Sequence, residues 1–162
     1  MKKEKTRLEN FKEKYEIIRR KYNLPKFSDI NKEFEIEKIC RKETEFLIRN
    51  IRREIIERIT HYLRFLEALI NPSNAPLLFF ALANKLTEKE KKILNDLYST
   101  LSSYLVKSIY LDNINEEEED VKLIMEIYKN WTNIKNKFND IIKVLDEDYR
   151  NKKENKFKGY IY

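Results

Sequence analysis

Few residues in this sequence are of a type that does chemistry unaided: one histidine, one cysteine and a run of five acids. His61 lies in "RITHYLRF" with no second histidine anywhere and no cysteine nearby. A zinc ion takes three or four protein ligands, so the ligand count excludes a zinc site at His61 unless carboxylates or another chain supply the rest. The expected state is a part-buried, hydrogen-bonded histidine. A nucleophilic triad would have to join Cys40 or a serine to this one histidine, and the chain contains neither a nucleophile elbow nor a glycine loop able to cradle phosphate. Its single glycine is Gly159. The acids Glu116 to Asp120 could attract a divalent cation, but they lack the spacing and central glycine of a calcium loop. They read instead as a solvated helix start, where the macrodipole favours negative charge. No catalytic residue, metal or cofactor is expected, and the chain reads as a non-enzyme.

Binding chemistry is better represented. The segment "YRNKKENKFKGYIY" alternates lysines with aromatic rings, pairing phosphate-neutralising charge with faces that stack on unpaired bases. The residues that would serve a nucleic acid are Lys152, Lys153, Lys156, Phe157, Lys158 and Tyr160, with Lys2, Lys3, Lys5 and Arg7 at the other end. The same pattern equally suits a basic terminus that aids solubility. In "RNIRREIIER", Glu45, Glu57 and Glu54 stand four residues from Arg49, Arg53 and Arg58, so three arginines have intrahelical partners. Arg52 has none in that reading, and is assigned with Arg41 to a basic surface.

A second candidate is apolar. "INPSNAPLLFFALA" interrupts the charged pattern with two of the three prolines and then the most apolar run of the chain, in a protein that is 38% charged. The leading expectation is that Leu77, Leu78, Phe80, Ala81 and Leu82 plug the end of a helical bundle. The alternative is that Leu77, Leu78, Phe79 and Phe80 form a partner-docking patch, since a large exposed apolar surface marks an interaction site.

The elements that must carry these residues are helices. Hairpins with tight turns need residues at positive φ, so a chain without glycine over its first 158 positions reads as all-α. Leu8, Phe11, Tyr15, Ile18 and Tyr22 give a first amphipathic helix, ended before Pro25, with Ser28 or Asp29 capping the next helix. From Asp29 to Ile70 there is neither Pro nor Gly, which predicts one very long helix, kinked near Cys40 to Glu43. Its stripe is Leu47, Ile51, Ile55, Ile59, Tyr62, Leu66 and Leu69. Asn71 and Pro72 stop it, and Asn74 caps a short helix. Thr87 and Glu90 have capping-box spacing for a helix that buries Ile93 or Leu94, then Leu97, Leu101, Tyr104 and Leu105. In the last helix a heptad register places Val121, Ile124, Tyr128, Trp131, Phe138, Ile142 and Leu145 in the core, with Lys135 at its one polar position. The expected fold is an elongated antiparallel bundle of about five helices around one very long central helix. Residues 1–149 form the domain and 150–162 a basic, aromatic tail, too polar to fold alone.

The net charge of +6 belongs to the ends. Residues 1–21 hold nine Lys or Arg against four Glu, giving +5, and 150–162 hold five against one, giving +4. With one cysteine and no apolar stretch of about 18 residues, a cytoplasmic protein with no membrane partner is expected. The leading functional expectation is a non-catalytic adaptor or accessory subunit that docks on a larger assembly through helix faces and basic termini. The second is binding of RNA or a ribonucleoprotein. Homodimerisation through the heptad helices is a further expectation.

Overall fold

The computed structural model describes the backbone of residues 6–41 and 45–158, and the side chains of residues 6–41 and 45–147. All regular structure among the described residues is helical. The order is α1 (Arg7–Tyr22), α2 (Phe27–Phe34), a 3-10 segment (Ile36–Arg41), α3 (Leu47–Ile70), a 3-10 turn (Pro72–Asn74), α4 (Leu77–Ala83), α5 (Glu88–Ile114) and α6 (Glu117–Lys158).

The helix expected from Asp29 to Ile70 is thus three pieces, and the longest element is α6, with 42 residues. The first break has a local cause. Glu35 closes α2 in the left-handed region at φ 54°, and its N–H bonds to the Asn31 carbonyl. The Asn31 side chain then accepts from the Glu37 N–H at 2.8 Å and donates to the Glu37 carboxylate at 3.1 Å, fastening the turn from both sides. The adjoining 3-10 segment buries Ile36 and Ile39, so the break is driven into place by core packing. α2 also starts earlier than expected, at Phe27, with Lys26 at its N-cap and no side-chain cap from Ser28 or Asp29. Two capping boxes mark other starts: Thr6 with Glu9 for α1, and the expected Thr87 with Glu90 for α5, each satisfying two otherwise orphaned N–H groups.

Two compact units divide the chain. One comprises Met1–His61 with Ser103–Asn130, the other Tyr62–Ser102 with Trp131–Tyr162. In the first, Phe11 and Tyr15 of α1 pack edge-on against Phe27 at 5.9 and 5.6 Å, and the buried Tyr15 hydroxyl donates to the Pro25 carbonyl at 2.8 Å. Burial raises the pKa of this phenol. Ile48, Ile51, Ile55 and Ile59 of α3, Leu123, Ile124 and Ile127 of α6, and Tyr104 and Leu111 of α5 are also buried in this unit. Each such aliphatic side chain contributes about 1.5–3 kcal/mol of transfer free energy. In the second unit Leu63, Leu66 and Leu69, then Leu86, Leu94, Leu97 and Leu101, then Trp131, Ile134, Ile141 and Leu145 are buried. Tyr62 packs edge-on against Trp131 at 5.5 Å and Phe138 at 4.3 Å.

The register of α6 differs from the expected one at half its core positions. Val121, Ile124, Trp131 and Leu145 are buried as expected, but the alternate positions fall one residue earlier, on Ile127, Ile134 and Ile141. Tyr128, Lys135, Phe138 and Ile142 are only half-buried. The shift puts isoleucine where a lysine was expected, and carries the same row back to Asp120, which is buried. The polar residue of this core is an aspartate at the start of the helix.

Candidate functional site

α4 half-buries Phe79, Leu82 and Ala83 and presents Leu77, Leu78, Phe80 and Ala81. Pro76 occupies its N-cap without a side-chain bond, and the helix has only seven residues, too few to be stable from its own hydrogen bonds. What fixes it is Phe79, which packs on Phe65 at 5.8 Å; Phe65 in turn meets Phe138 at 5.4 Å. The row from Trp131 through Tyr62, Phe138 and Phe65 thus ends at α4. On the far side no described residue covers the helix: Leu77 is 82% exposed, Leu78 53% and Phe80 48%. None of its residues is buried. The plug, the leading expectation, is overturned at Leu77, Leu78, Phe80 and Ala81, whereas Leu82 is half-buried; Phe79, part of the docking patch in the alternative, is half-buried against Phe65. Residues 71–84 carry no charge, whereas 84–92 hold four lysines against two glutamates. The result is an apolar knob beside a basic segment.

Arg52, assigned from the sequence to a basic surface, has no exposed surface at all. Its guanidinium is consumed by neighbours. Nε donates to the Asp120 carboxylate at 2.5 Å, Nη1 to the Ser108 carbonyl at 2.8 Å and to the Ser108 hydroxyl, and Nη2 to the Asp112 carboxylate. These bonds tie α3 to both α5 and α6. Arg49 approaches the other Asp120 oxygen at 3.9 Å while lying over the Phe46 ring, and Arg53 reaches Asp112 at 3.1 Å. Arg58 meets Glu35 at 3.3 Å. Arg49, Arg52, Arg53 and Arg58 of α3 thus find partners outside their own helix. Burial raises the pKa of Asp120 against the pull of Arg52. Burial pushes Asp112 the same way, but the bonds from Arg52 and Arg53 outweigh it and hold that carboxyl below its usual range.

The acidic run is not a uniformly solvated helix start. Asp120 enters the core, Glu119 pairs with Lys122, and Glu117 accepts from the Tyr22 hydroxyl and from Lys21, the former doing most to lower its pKa. His61, expected part-buried, is exposed. It stands at a cleft of about 250 Å³ lined also by Phe34, Lys38, Glu54, Glu57 and Arg58.

Of the residues assigned to nucleic acid, Arg7 is exposed at the first position of α1. Lys2, Lys3, Lys5 and Tyr160 lie outside the described residues. The backbone at Lys152, Lys153, Lys156, Phe157 and Lys158 continues α6, past the expected end of the folded domain, and their side chains lie outside the described set. No described helix is long and apolar enough to cross a membrane. No protein-family model, curated protein or solved structure matches this chain.

Proposed function

We propose that this protein is a non-catalytic docking module of the cytoplasm, which inserts α4 into an apolar groove of a partner protein. The observation that carries the reading is the uncovered face of Leu77, Leu78 and Phe80 on a helix held from behind by Phe79. Leu77 and Phe80 stand at the i, i+3 spacing that helix-in-groove recognition uses, with Leu78 beside them. Burying the three side chains yields about 1.5–3 kcal/mol each before the costs of association. The lysine excess in residues 84–92 favours a groove rimmed by carboxylates, because complementary charge steers the encounter.

The test is photo-crosslinking in the source cells from a diazirine residue placed at Leu77, with the same probe at exposed Glu67 of α3 as control. The expected result is one defined protein adduct from position 77 that persists at high salt and is lost when Phe80→Asp is added. An adduct destroyed by nuclease and by salt would transfer the function to RNA binding. Equal labelling from positions 67 and 77 would sink the docking reading.

A further inference from the structure

α5 carries a second uncovered apolar face, independent of α4, and its pattern selects its own occupant. Val106 is 65% exposed, Ile109 57% and Tyr110 62%, at the i, i+3 and i+4 positions that share one side of a helix. The opposite side is the buried stripe of Tyr104, Ser108 and Leu111. Between Leu97 and Leu111 the one charged residue is Lys107. Lys107 is bound by Glu126 at 2.7 Å, and Asp112, next along the helix, is held by Arg52 and Arg53. The charges beside the face are therefore neutralised from within the chain. On a protein of net charge +6 this is a surface where a second copy meets no local repulsion.

The order of residue sizes is the second observation. An antiparallel partner related by a two-fold axis across Val106 sets each position before 106 against the one equally far after it. Ser103 then faces Ile109, and helical spacing sets Ser102 against Tyr110. Small residues on one half of the stripe meet bulky ones on the other, twice over, with Val106 against its own copy. An isologous dimer requires this self-complementarity, whereas a face evolved for an unrelated partner has no reason to possess it. Of the two heptad helices expected as a dimer seam, α1 buries Phe11 and Tyr15 and α6 buries Val121, Ile124, Trp131 and Leu145 within the chain.

We infer that the protein forms a two-fold homodimer through antiparallel packing of the outer faces of α5. The stripe covers about three helical turns, less than the roughly 800 Å² per partner of a standard interface. The dimer is accordingly in reversible, concentration-dependent equilibrium.

Sedimentation equilibrium of the full chain over rising micromolar concentrations tests this. Val106→Lys sets two ammonium groups against each other on the axis, and should raise the dissociation constant on the order of a hundredfold. Helical circular dichroism should be unchanged, since the position is exposed. Leu77→Asp should leave dimerisation unaltered. Geometry is read separately: Val106→Cys in a Cys40→Ser background should be joined to a second copy by a short bismaleimide, and the same cysteine placed at Leu77 should not. A monomer at every concentration, or a dimer indifferent to Val106→Lys, overturns the inference. So does a dimer abolished by Leu77→Asp alone, which would move the interface to α4.

Discussion

At the scale of single residues, the organising feature is a cation where an aliphatic side chain would otherwise sit. Arg52 lies four residues after Ile48 and three before Ile55, within the buried stripe of α3. Asp120 lies four before Ile124 and seven before Ile127, within that of α6. Both placements were open to a reading of helical periodicity. Arg52 was also the arginine left without an intrahelical partner. What hid the pair was company: Arg52 stands among arginines that do reach the surface, and Asp120 ends a run of acids whose other members are exposed or half-exposed. Removing one member strands its partner in the core, where an uncompensated charge costs about 3–5 kcal/mol. Arg52→Met should therefore destabilise the protein by about that amount, a large share of the roughly 5–15 kcal/mol available to a domain. The double variant Arg52→Met with Asp120→Leu should recover most of it, because apolar residues of similar volume replace the whole pair. Urea denaturation of the two single variants and the double gives the coupling. Strictly additive losses would show that the two groups do not act together.

At the scale of elements, what could be read were the starts and stops that depend on side-chain chemistry. Thr87 and Glu90 announce α5, and Asn71 and Pro72 announce the end of α3, because capping and the missing proline N–H act locally. The break at Glu35 carries no such sign. A left-handed residue is usually glycine or asparagine, and here a glutamate is held there by the Asn31 to Glu37 bonds and the burial of Ile36. The outer face of α5 was missed for a different reason: its apolar residues merge with the core stripe in sequence, and only exposure separates them. α4 shows the same limit, since an apolar run does not reveal which of its sides is covered. Its attachment rests on Phe79. Phe79→Ala should release α4, so that hydrogen exchange at the amides of residues 77–84 approaches unprotected rates while protection in α3 and α6 persists. Leu77→Ala, which removes an exposed side chain, should leave the pattern as it was. Retained protection in Phe79→Ala would mean that the contact with Phe65 does not hold the helix.

At the scale of the whole molecule, charge and apolar surface make opposite demands on salt, and that opposition separates the ways this chain can associate. The net charge of +6 repels a second copy and attracts a polyanion. Added salt screens both effects. Contact with RNA, whose affinity rests on counterion release, weakens steeply as salt rises. Packing of α5 on α5 opposes two positively charged chains across an uncharged seam, so screening removes a penalty and the dimer tightens. Residues 150–162 contribute +4, and removing them leaves 6 − 4 = +2. Repulsion between like chains scales with the product of their charges. Truncation after residue 149 should therefore tighten the dimer at low salt and abolish most of its salt dependence, while diminishing any retention on RNA. Sedimentation equilibrium of residues 1–162 and 1–149 at two ionic strengths reads the first effect. A full-length dimer that dissociates as salt is raised would show that ionic contacts between the copies, not the apolar face of α5, hold it together.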